Sequence, residues 1–194
     1  MVTVSVEHHR FLDPGEWRRW LEVNHSQDEA IWVVIQKVKS PNPGIKYDEA
    51  LDEALCFGWI DGKMKRLDEY EFIQWFSPRR RNSLWSRRNR DKVEMLIGEG
   101  RMTGAGLAEV EKAKMNGRWE AAYSSKDTPT MPDDLLEALK SNKVAHDNFS
   151  AFPNSARFMY IHWINDAKRD STRARRINRV VERAAENRKP GIDM

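Results

Sequence analysis

The spacing of apolar residues changes once along this chain, near residue 85, and this change limits the folds that the chain can adopt. Before it, short β-branched and aromatic runs are bounded by turn residues, which is typical of strands between helices. After it, apolar residues recur every three or four positions. The pattern predicts an α+β fold, with a small, mostly antiparallel sheet and packed helices in the N-terminal half and a helical C-terminal half.

The N-terminal half carries signals for both helices and strands. Asp13-Pro14-Gly15-Glu16 predicts the start of one helix, with the aspartate as N-cap. Gly58 is a natural stop for a second helix, which begins at Tyr47. The run 31–38 is nearly all apolar and rich in β-branched residues, which favours a central strand covered on both faces. Residues 59–64 and 71–76 predict two further strands.

Helical spacing continues from Ser86, the predicted N-cap of the next helix. The last four predicted helices span 133–139, 142–149, 154–168 and 172–187. On the last of these, the residues predicted to lie opposite the apolar face are Arg173, Arg176, Arg179 and Arg183. The turn-rich segment 126–132 predicts a connector. We therefore expect an α+β core over residues 1–125 and a helical region over 126–194 that packs on or follows it.

Charge alternates in blocks along the chain, although the net charge is +3. Residues 1–60 hold 6 basic and 10 acidic side chains, and residues 61–92 hold 10 and 5. Residues 93–140 hold 6 and 9, and residues 141–194 hold 11 and 6. These blocks can neutralise one another, or the basic blocks can converge into a surface that attracts phosphate or carboxylate.

The number of cysteines and the lengths of the apolar runs indicate the cellular compartment. A single cysteine, Cys56, excludes an internal disulfide framework and fits a reducing compartment. No apolar run approaches the roughly 20 residues of a transmembrane helix, and the first ten residues lack the layout of a secretory signal. Composition therefore predicts a cytoplasmic protein without a membrane span.

The stretch Tyr47–Asn89 joins an apolar segment to an arginine-dense segment. Guanidinium groups bind phosphate and carboxylate in a bidentate manner, and tryptophan stacks on bases or cations. The predicted ligand-binding residues are Trp59, Asp61, Arg79, Arg80, Ser83, Trp85, Ser86 and Asn89. We expect Asp61 to orient an arginine and Trp85 to form a stacking wall. Arg79 and Arg80 would contact the anion.

A structural interpretation of the same residues stays open. In it, Trp85 packs in the core and the arginines pair with the acidic residues Asp68, Glu69 and Glu71. Asp61 would then be a turn aspartate that bonds its own backbone. Neither a metal site nor a cofactor is predicted, because the histidines are dispersed and no glycine-rich phosphate loop occurs. Cys56 lies near a helix C-terminus, which disfavours a thiolate, so we expect it to pack in the core.

Several motifs resemble those of the YdeI/OmpD-associated family, often labelled bacteriocin-protection. They are Tyr47–Gly62, Phe76–Arg80, Ser83–Ser86, Asn89, Gly100–Met102 with Gly106, Phe152–Arg157, Tyr160, Trp163–Ile164 and Ala167–Lys168. Ala156-Arg157 departs from the arginine pair of that family's helical tail. The resemblance spans roughly Phe11 to Asn187. It implies a connection with envelope or antimicrobial-peptide stress, and it implies no reaction or cofactor.

Three functional hypotheses follow. The first is a stress-associated protein of this type that binds an anionic small molecule, or an acidic partner surface, through the Asp/Arg/Trp residues above. The second is a nucleic-acid-binding protein that uses both basic blocks, including the arginine face of the last helix. The third is an enzyme of unknown reaction with Asp61 as the base. The ligand, the oligomeric state and enzymatic activity remain undetermined by the sequence.

Overall fold

The computed structural model describes residues 7–80, 83–124, 127 and 129–191. The chain divides into two compact units, Met1–Ala122 and Tyr123–Met194. Part of the arginine-dense segment (Arg81 and Asn82) and part of the predicted connector (Lys126 and Thr128) lie outside the described residues.

The described part of the N-terminal unit forms four helices and three strands. They are α1 (Pro14–Asn24), β1 (Ile31–Gln36), α2 (Tyr47–Cys56), β2 (Trp59–Arg66), β3 (Glu71–Pro78), α3 (Arg87–Gly98) and α4 (Gly104–Met115). The C-terminal unit contributes α5 (Asp133–Lys140), α6 (Lys143–Ala151), α7 (Asn154–Asn165) and α8 (Asp170–Ala185). The predicted α+β class, with a small antiparallel sheet and a helical C-terminal half, is confirmed.

The strand order in the sheet is β1-β3-β2, and both pairs are antiparallel. The prediction of a central strand over 31–38 is therefore wrong, because β3 is central. The apolar run of β1 has another cause: its alternate residues enter two different apolar clusters. Val33 and Ile35 pack with the helices, whereas Trp32 and Val34 pack on the opposite face. The other edge of β1 meets His9, which forms a parallel bridge to Val33.

Helices α1 and α2 supply the apolar side chains that cover one face of the sheet. Trp17 and Leu21 of α1 are fully buried in one cluster with Leu51 of α2 and Phe76 of β3. The indole N–H of Trp17 donates to the Ala50 carbonyl at 3.0 Å, so this buried donor is satisfied. Burying aliphatic and aromatic side chains of this kind stabilises the fold by roughly 1.5–3 kcal/mol each.

Both helix starts singled out in the sequence have the expected N-caps. Asp13 Oδ1 accepts from the Glu16 backbone N–H at 2.9 Å, and Ser86 Oγ accepts from the Asn89 N–H at 3.2 Å. Each side chain satisfies a donor that the first helical turn leaves without an intrahelical partner.

Helix α4 approaches the end of α2 very closely, and glycine permits this. A Cβ at Gly106 would lie 2.3 Å from the Cys56 carbonyl oxygen. Thr103, the N-cap of α4, donates its hydroxyl and its backbone N–H to that same oxygen at 2.7 and 3.1 Å. Gly58 follows with a φ of +76°, a conformation that favours glycine. These contacts fix α4 beside the turn from α2 to β2.

In the C-terminal unit, helices α5 to α8 share one apolar cluster that includes Leu135, Phe149, Tyr160 and Val180. The prediction that Arg183 lies on the exposed face of the last helix is wrong, since only 3% of it is exposed. Its Nε donates to the Tyr160 hydroxyl at 3.0 Å. Buried hydrogen-bonding partners overrule helical spacing at this position. Across the described residues, helices of the length and apolarity needed to cross a membrane do not occur.

Candidate functional site

Arg79 is held where β3 ends, beside the turn that follows α2. Its backbone N–H donates to the Gly58 carbonyl at 3.0 Å, and its Nη1 donates to the Leu84 carbonyl at 3.3 Å. The guanidinium carbon lies 3.6 Å from the centroid of the Trp85 ring, and Arg79 is 8% exposed. Stacking on an indole suits the planar guanidinium. The structure therefore fixes this cation in one orientation.

The side chain of Trp85 is buried against a second tryptophan, Trp119. It is 4% exposed, and its ring meets that of Trp119 at a centroid distance of 4.9 Å and an angle of 64°. Such edge-to-face pairs are favourable. The sequence left two alternatives for Trp85, core packing or a stacking wall for a ligand; in the structure the residue is buried and the Arg79 guanidinium lies over its ring. The acid Glu71 of the structural interpretation pairs with Arg10, at 2.6 and 2.7 Å.

Two hydrogen bonds join Arg80 and Ser83. The Arg80 N–H donates to Ser83 Oγ at 3.0 Å, and the Ser83 N–H donates to the Arg80 carbonyl at 2.8 Å. Arg80 is exposed. The exposed Arg80 therefore directly follows the buried Arg79 in the chain.

These residues line a small depression together with part of α4. Its lining consists of Arg79, Arg80, Ser83, Trp85, Glu109, Lys112, Ala113, Asn116 and Arg118. The enclosed volume is about 10 Å³, which is room for one water molecule. Four basic side chains and one carboxylate are present among the lining residues. Guanidinium and ammonium groups at this density create a positive potential.

A larger groove adjoins it and shares Arg79, Glu109 and Lys112. Its other lining residues are His25, Phe57, Gly58, Trp59, Pro78, Ala105 and Ala108, and its volume is about 210 Å³. Gly58 lets α4 approach this wall closely, since a Cβ there would lie 2.9 Å from Cγ of Glu109. We call the two depressions together the Arg79 groove.

Two polar side chains of the groove have defined partners. Lys112 Nζ lies 2.6 Å from Glu109 Oε1, and the lysine side chain is 64% exposed. His25 Nδ1 lies 3.0 Å from the Leu21 carbonyl. Because a carbonyl only accepts, Nδ1 carries the proton in the neutral ring and Nε2 is the acceptor. The buried Trp59 donates its indole N–H to the His25 carbonyl at 2.9 Å, which anchors the residue.

Five of the eight predicted site residues line the Arg79 groove: Trp59, Arg79, Arg80, Ser83 and Trp85. The described lining does not include Asp61, Ser86 or Asn89. Ser86 caps α3. Asp61 accepts a hydrogen bond from the Tyr47 hydroxyl at 2.8 Å, so the partner seen here is a tyrosine. Burial, with the nearby Asp61 carboxylate, raises the pKa of Tyr47.

Sequence reasoning missed the contribution of α4 to the groove. Glu109, Lys112 and Asn116 follow one another at intervals of three and four residues, which places them on one helix face. The sequence therefore shows that these three residues share a helix face. It does not show that this face lies near Arg79, which precedes Glu109 by thirty residues. Elsewhere, the described residues do not bring three or more His, Cys, Asp or Glu side chains together as metal ligands.

Two protein-family models together match most of the chain. Residues 9–109 match a family model described as a domain of unknown function (DUF8412), and this match covers more than half of the 194 residues. The chain belongs to the DUF8412 family. Most of the Arg79 groove, from His25 to Glu109, lies within the DUF8412 match, as does the Tyr47–Asn89 stretch.

A second family model, described as bacteriocin-protection, YdeI or OmpD-associated (OmdA), matches residues 128–187. This match confirms the resemblance to the YdeI/OmpD-associated family over the C-terminal motifs, which it contains; the motifs between Tyr47 and Gly106 lie within the DUF8412 match instead. No curated protein and no solved structure matches the chain significantly.

Proposed function

We propose that the Arg79 groove binds a small anionic molecule. One observation carries the proposal: four basic side chains and a single carboxylate line the described depression beside Trp85. The cations are those of Arg79, Arg80, Lys112 and Arg118. Arginine keeps its charge at all relevant pH values, so the site attracts phosphate or carboxylate under any ordinary condition.

Preorganisation of Arg79 supports this proposal. Binding usually costs side-chain entropy when a flexible residue is immobilised. The Arg79 guanidinium already stacks on Trp85 and bonds the Leu84 carbonyl, so much of that cost has been met in folding. The more mobile Lys112 can supply the second contact. In its pair with Glu109 the lysine is 64% exposed and the glutamate 20%, and such a partly exposed pair is worth about 1 kcal/mol, so an incoming anion can replace it.

The groove volume and walls limit the ligand. Phe57, Pro78, Ala105 and Ala108 give the larger depression an apolar side. Its volume of about 210 Å³ lies below the range of roughly 300–1,000 Å³ that is typical of sites for drug-sized ligands. We therefore expect a compact molecule with a small apolar body and one carboxylate or phosphate. The concave shape favours such a ligand over a flat acidic protein surface.

The cellular setting is also part of the proposal. Composition predicts the cytoplasm, and the bacteriocin-protection wording of the OmdA match supports a role in antimicrobial-peptide or envelope stress. A host lacking the protein should become more sensitive to membrane-active peptides, and the Lys112→Ala variant should restore resistance only partly. Equal sensitivity with and without the protein would remove this role.

The nucleic-acid hypothesis based on the arginine face of α8 receives less support. Arg173 forms a two-pronged pair with Asp134 at 2.5 and 2.9 Å, and Arg179 lies 3.3 Å from Glu182. Arg183 is buried. Internal pairing and burial reduce the positive charge that this face can offer to phosphates.

The enzyme hypothesis rests on Asp61 as a base. The Tyr47 hydroxyl donates to Asp61 Oδ2 at 2.8 Å, so one carboxylate oxygen that a base would use is already engaged. We therefore keep binding as the proposed function.

Two lysines on α4 provide a matched experiment. Lys112 and Lys114 are each paired with a glutamate three residues earlier, but only Lys112 lines the Arg79 groove. Calorimetric titration with inorganic phosphate and with a panel of small aromatic and aliphatic carboxylates should give binding that Lys112→Ala weakens about fivefold, for the loss of about 1 kcal/mol. Lys114→Ala should leave it unchanged. Equal effects of both variants, or no binding at all, would refute the proposal.

A further inference from the structure

The Arg79 groove contains an acid as well as cations, and this acid limits the ligand further. In the larger depression, Arg79 and Lys112 are basic and Glu109 is acidic. Glu109 Oε1 accepts from Lys112 Nζ at 2.6 Å, and within the described part of the chain Oε2 has no hydrogen-bond partner. The glutamate side chain is 20% exposed and the lysine side chain 64%. The carboxylate is therefore the more enclosed member of the pair.

Gly58 connects this acid to Arg79. A Cβ at Gly58 would lie 2.9 Å from Cγ of Glu109, so the glutamate packs directly on the glycine. The Gly58 carbonyl in turn accepts from the backbone N–H of Arg79 at 3.0 Å. The groove therefore offers groups of both charges over a short span.

An anion that binds Lys112 takes away the partner of Glu109. The glutamate stays largely enclosed, and a charge left without a partner in such a place is destabilising. Inorganic phosphate would also bring a second negative group close to the carboxylate. A ligand that carries an ammonium beside its carboxylate avoids both effects, because the ammonium replaces Lys112 at Glu109.

We infer that the ligand of the Arg79 groove is an α-amino acid with an apolar side chain. The inference rests on the proposed function, because the carboxylate of the amino acid is the anionic group that Arg79 and Lys112 bind. The ammonium pairs with Glu109. Since Glu109 and Lys112 are in contact, the two charges of the ligand must also be adjacent, as they are in an α-amino acid. The two termini of a peptide are further apart and do not fit this spacing.

The walls of the groove indicate the kind of side chain. Phe57, Pro78, Ala105 and Ala108 line the larger depression, and polar groups for a hydrophilic side chain are not among these four. Apolar surface that leaves water against such a wall adds affinity in rough proportion to its area. The volume of about 210 Å³ suits a compact aliphatic side chain, such as that of leucine.

The test compares leucine with two analogues that each lack one charged group. Isocaproate is leucine without the amino group, and isoamylamine is leucine without the carboxylate. Each is titrated into the full chain and followed by backbone amide chemical shifts. Leucine should bind about fivefold more tightly than isocaproate, which is the gain expected from one ion pair in a partly enclosed site. Isoamylamine should bind more weakly than leucine by at least that factor.

Two glutamates of α4 provide matched variants. Glu109→Gln should weaken leucine binding about fivefold and tighten isocaproate binding about twofold, because Lys112 then loses its competing partner. A merely structural role for Glu109 would weaken both ligands alike. Glu111 pairs with Lys114, is 66% exposed and does not line the described groove, so Glu111→Gln should change neither affinity.

The outcomes separate this inference from the proposed function. If isocaproate binds and leucine binds no more tightly, the inference is overturned and the anion site stands. If neither carboxylate gives saturating shifts, both are overturned. Equal effects of Glu109→Gln and Glu111→Gln, parallel losses of both ligands in Glu109→Gln, or isoamylamine binding as tight as that of leucine would also overturn the inference.

Discussion

Replacement of Gly106 by alanine tests the contact that places α4 against the end of α2. The added Cβ would lie 2.3 Å from the Cys56 carbonyl oxygen and 2.8 Å from the Met102 methyl carbon. The methionine side chain can move, but the carbonyl belongs to the backbone. Helix α4 must therefore shift, and the two Thr103 hydrogen bonds to that carbonyl must lengthen.

The expected change in the free energy of unfolding of Gly106→Ala is the sum of three contributions. Overpacking typically costs about 1–3 kcal/mol, and weakening each of two buried hydrogen bonds costs up to about 1 kcal/mol. Alanine returns about 1 kcal/mol through its higher helix propensity. The net loss should be about 2–3 kcal/mol. Gly104, two residues earlier, is the control, since a Cβ there would meet nothing within 4 Å. Its replacement by alanine should be neutral or stabilise by up to about 1 kcal/mol.

Urea denaturation followed by tryptophan fluorescence is the appropriate assay, because seven of the eight tryptophans lie in residues 1–122. With a slope of about 1–3 kcal/mol per molar urea, Gly106→Ala should lower the midpoint by about 0.7–3 M. Anion binding in the Arg79 groove should weaken as well, since Lys112 moves with α4. Equal midpoints for the Gly106→Ala and Gly104→Ala variants would refute the close approach of the two helices.

Three further predictions concern other parts of the molecule. Hydrogen bonds from Arg10 and Gln36 lower the pKa of Glu71 from 4.5 to about 2, so its contribution to stability is complete above pH 4.5 and is lost as pH falls towards 2. Because Arg10 is half exposed, we expect this loss to be about 1–3 kcal/mol by urea denaturation, and Glu71→Gln should reduce the pH dependence of stability by that amount. Arg183→Met should lower the free energy of unfolding of the C-terminal unit by about 2–4 kcal/mol, measured by thermal unfolding. Arg179→Met removes an arginine from an exposed pair and should change that free energy by less than about 0.5 kcal/mol. Similar losses for the two variants would contradict the burial of Arg183. Burial raises the pKa of Cys56 to about 11, so the folded protein should resist thiol reagents near neutral pH, and rapid labelling would contradict this.

Local chemistry made much of the fold predictable. Asp13 and Ser86 cap their helices as the sequence indicated, because N-capping depends only on nearby backbone donors. The position of β1 in the sheet was not predictable from its apolar run, since strands at an edge and at the centre can both be covered on two faces. Arg183 was predicted on the exposed face because helical spacing carries no information about a hydrogen-bonding partner on another helix, here the Tyr160 hydroxyl.

The candidate site was predictable only in part, for a similar reason. Arg79 and Trp85 are six residues apart, so their proximity could be anticipated from the arginine-dense segment. Lys112 joins them only through the packing of α4 on the end of α2, which depends on Gly106. Asp61 was predicted to orient an arginine, but its hydrogen-bond partner in the structure is Tyr47 of α2. Long-range packing decided both outcomes.

The most direct test of the Arg79 groove as an anion site is a titration followed by backbone amide chemical shifts. Benzoate and inorganic phosphate, added separately to the full chain, should shift the amide signals of Gly58, Arg79, Glu109 and Lys112 along one saturating curve. Lys112→Ala should raise the fitted Kd about fivefold, and Lys114→Ala should not. Shifts that fail to saturate, or that saturate only at residues outside the groove, would contradict the account.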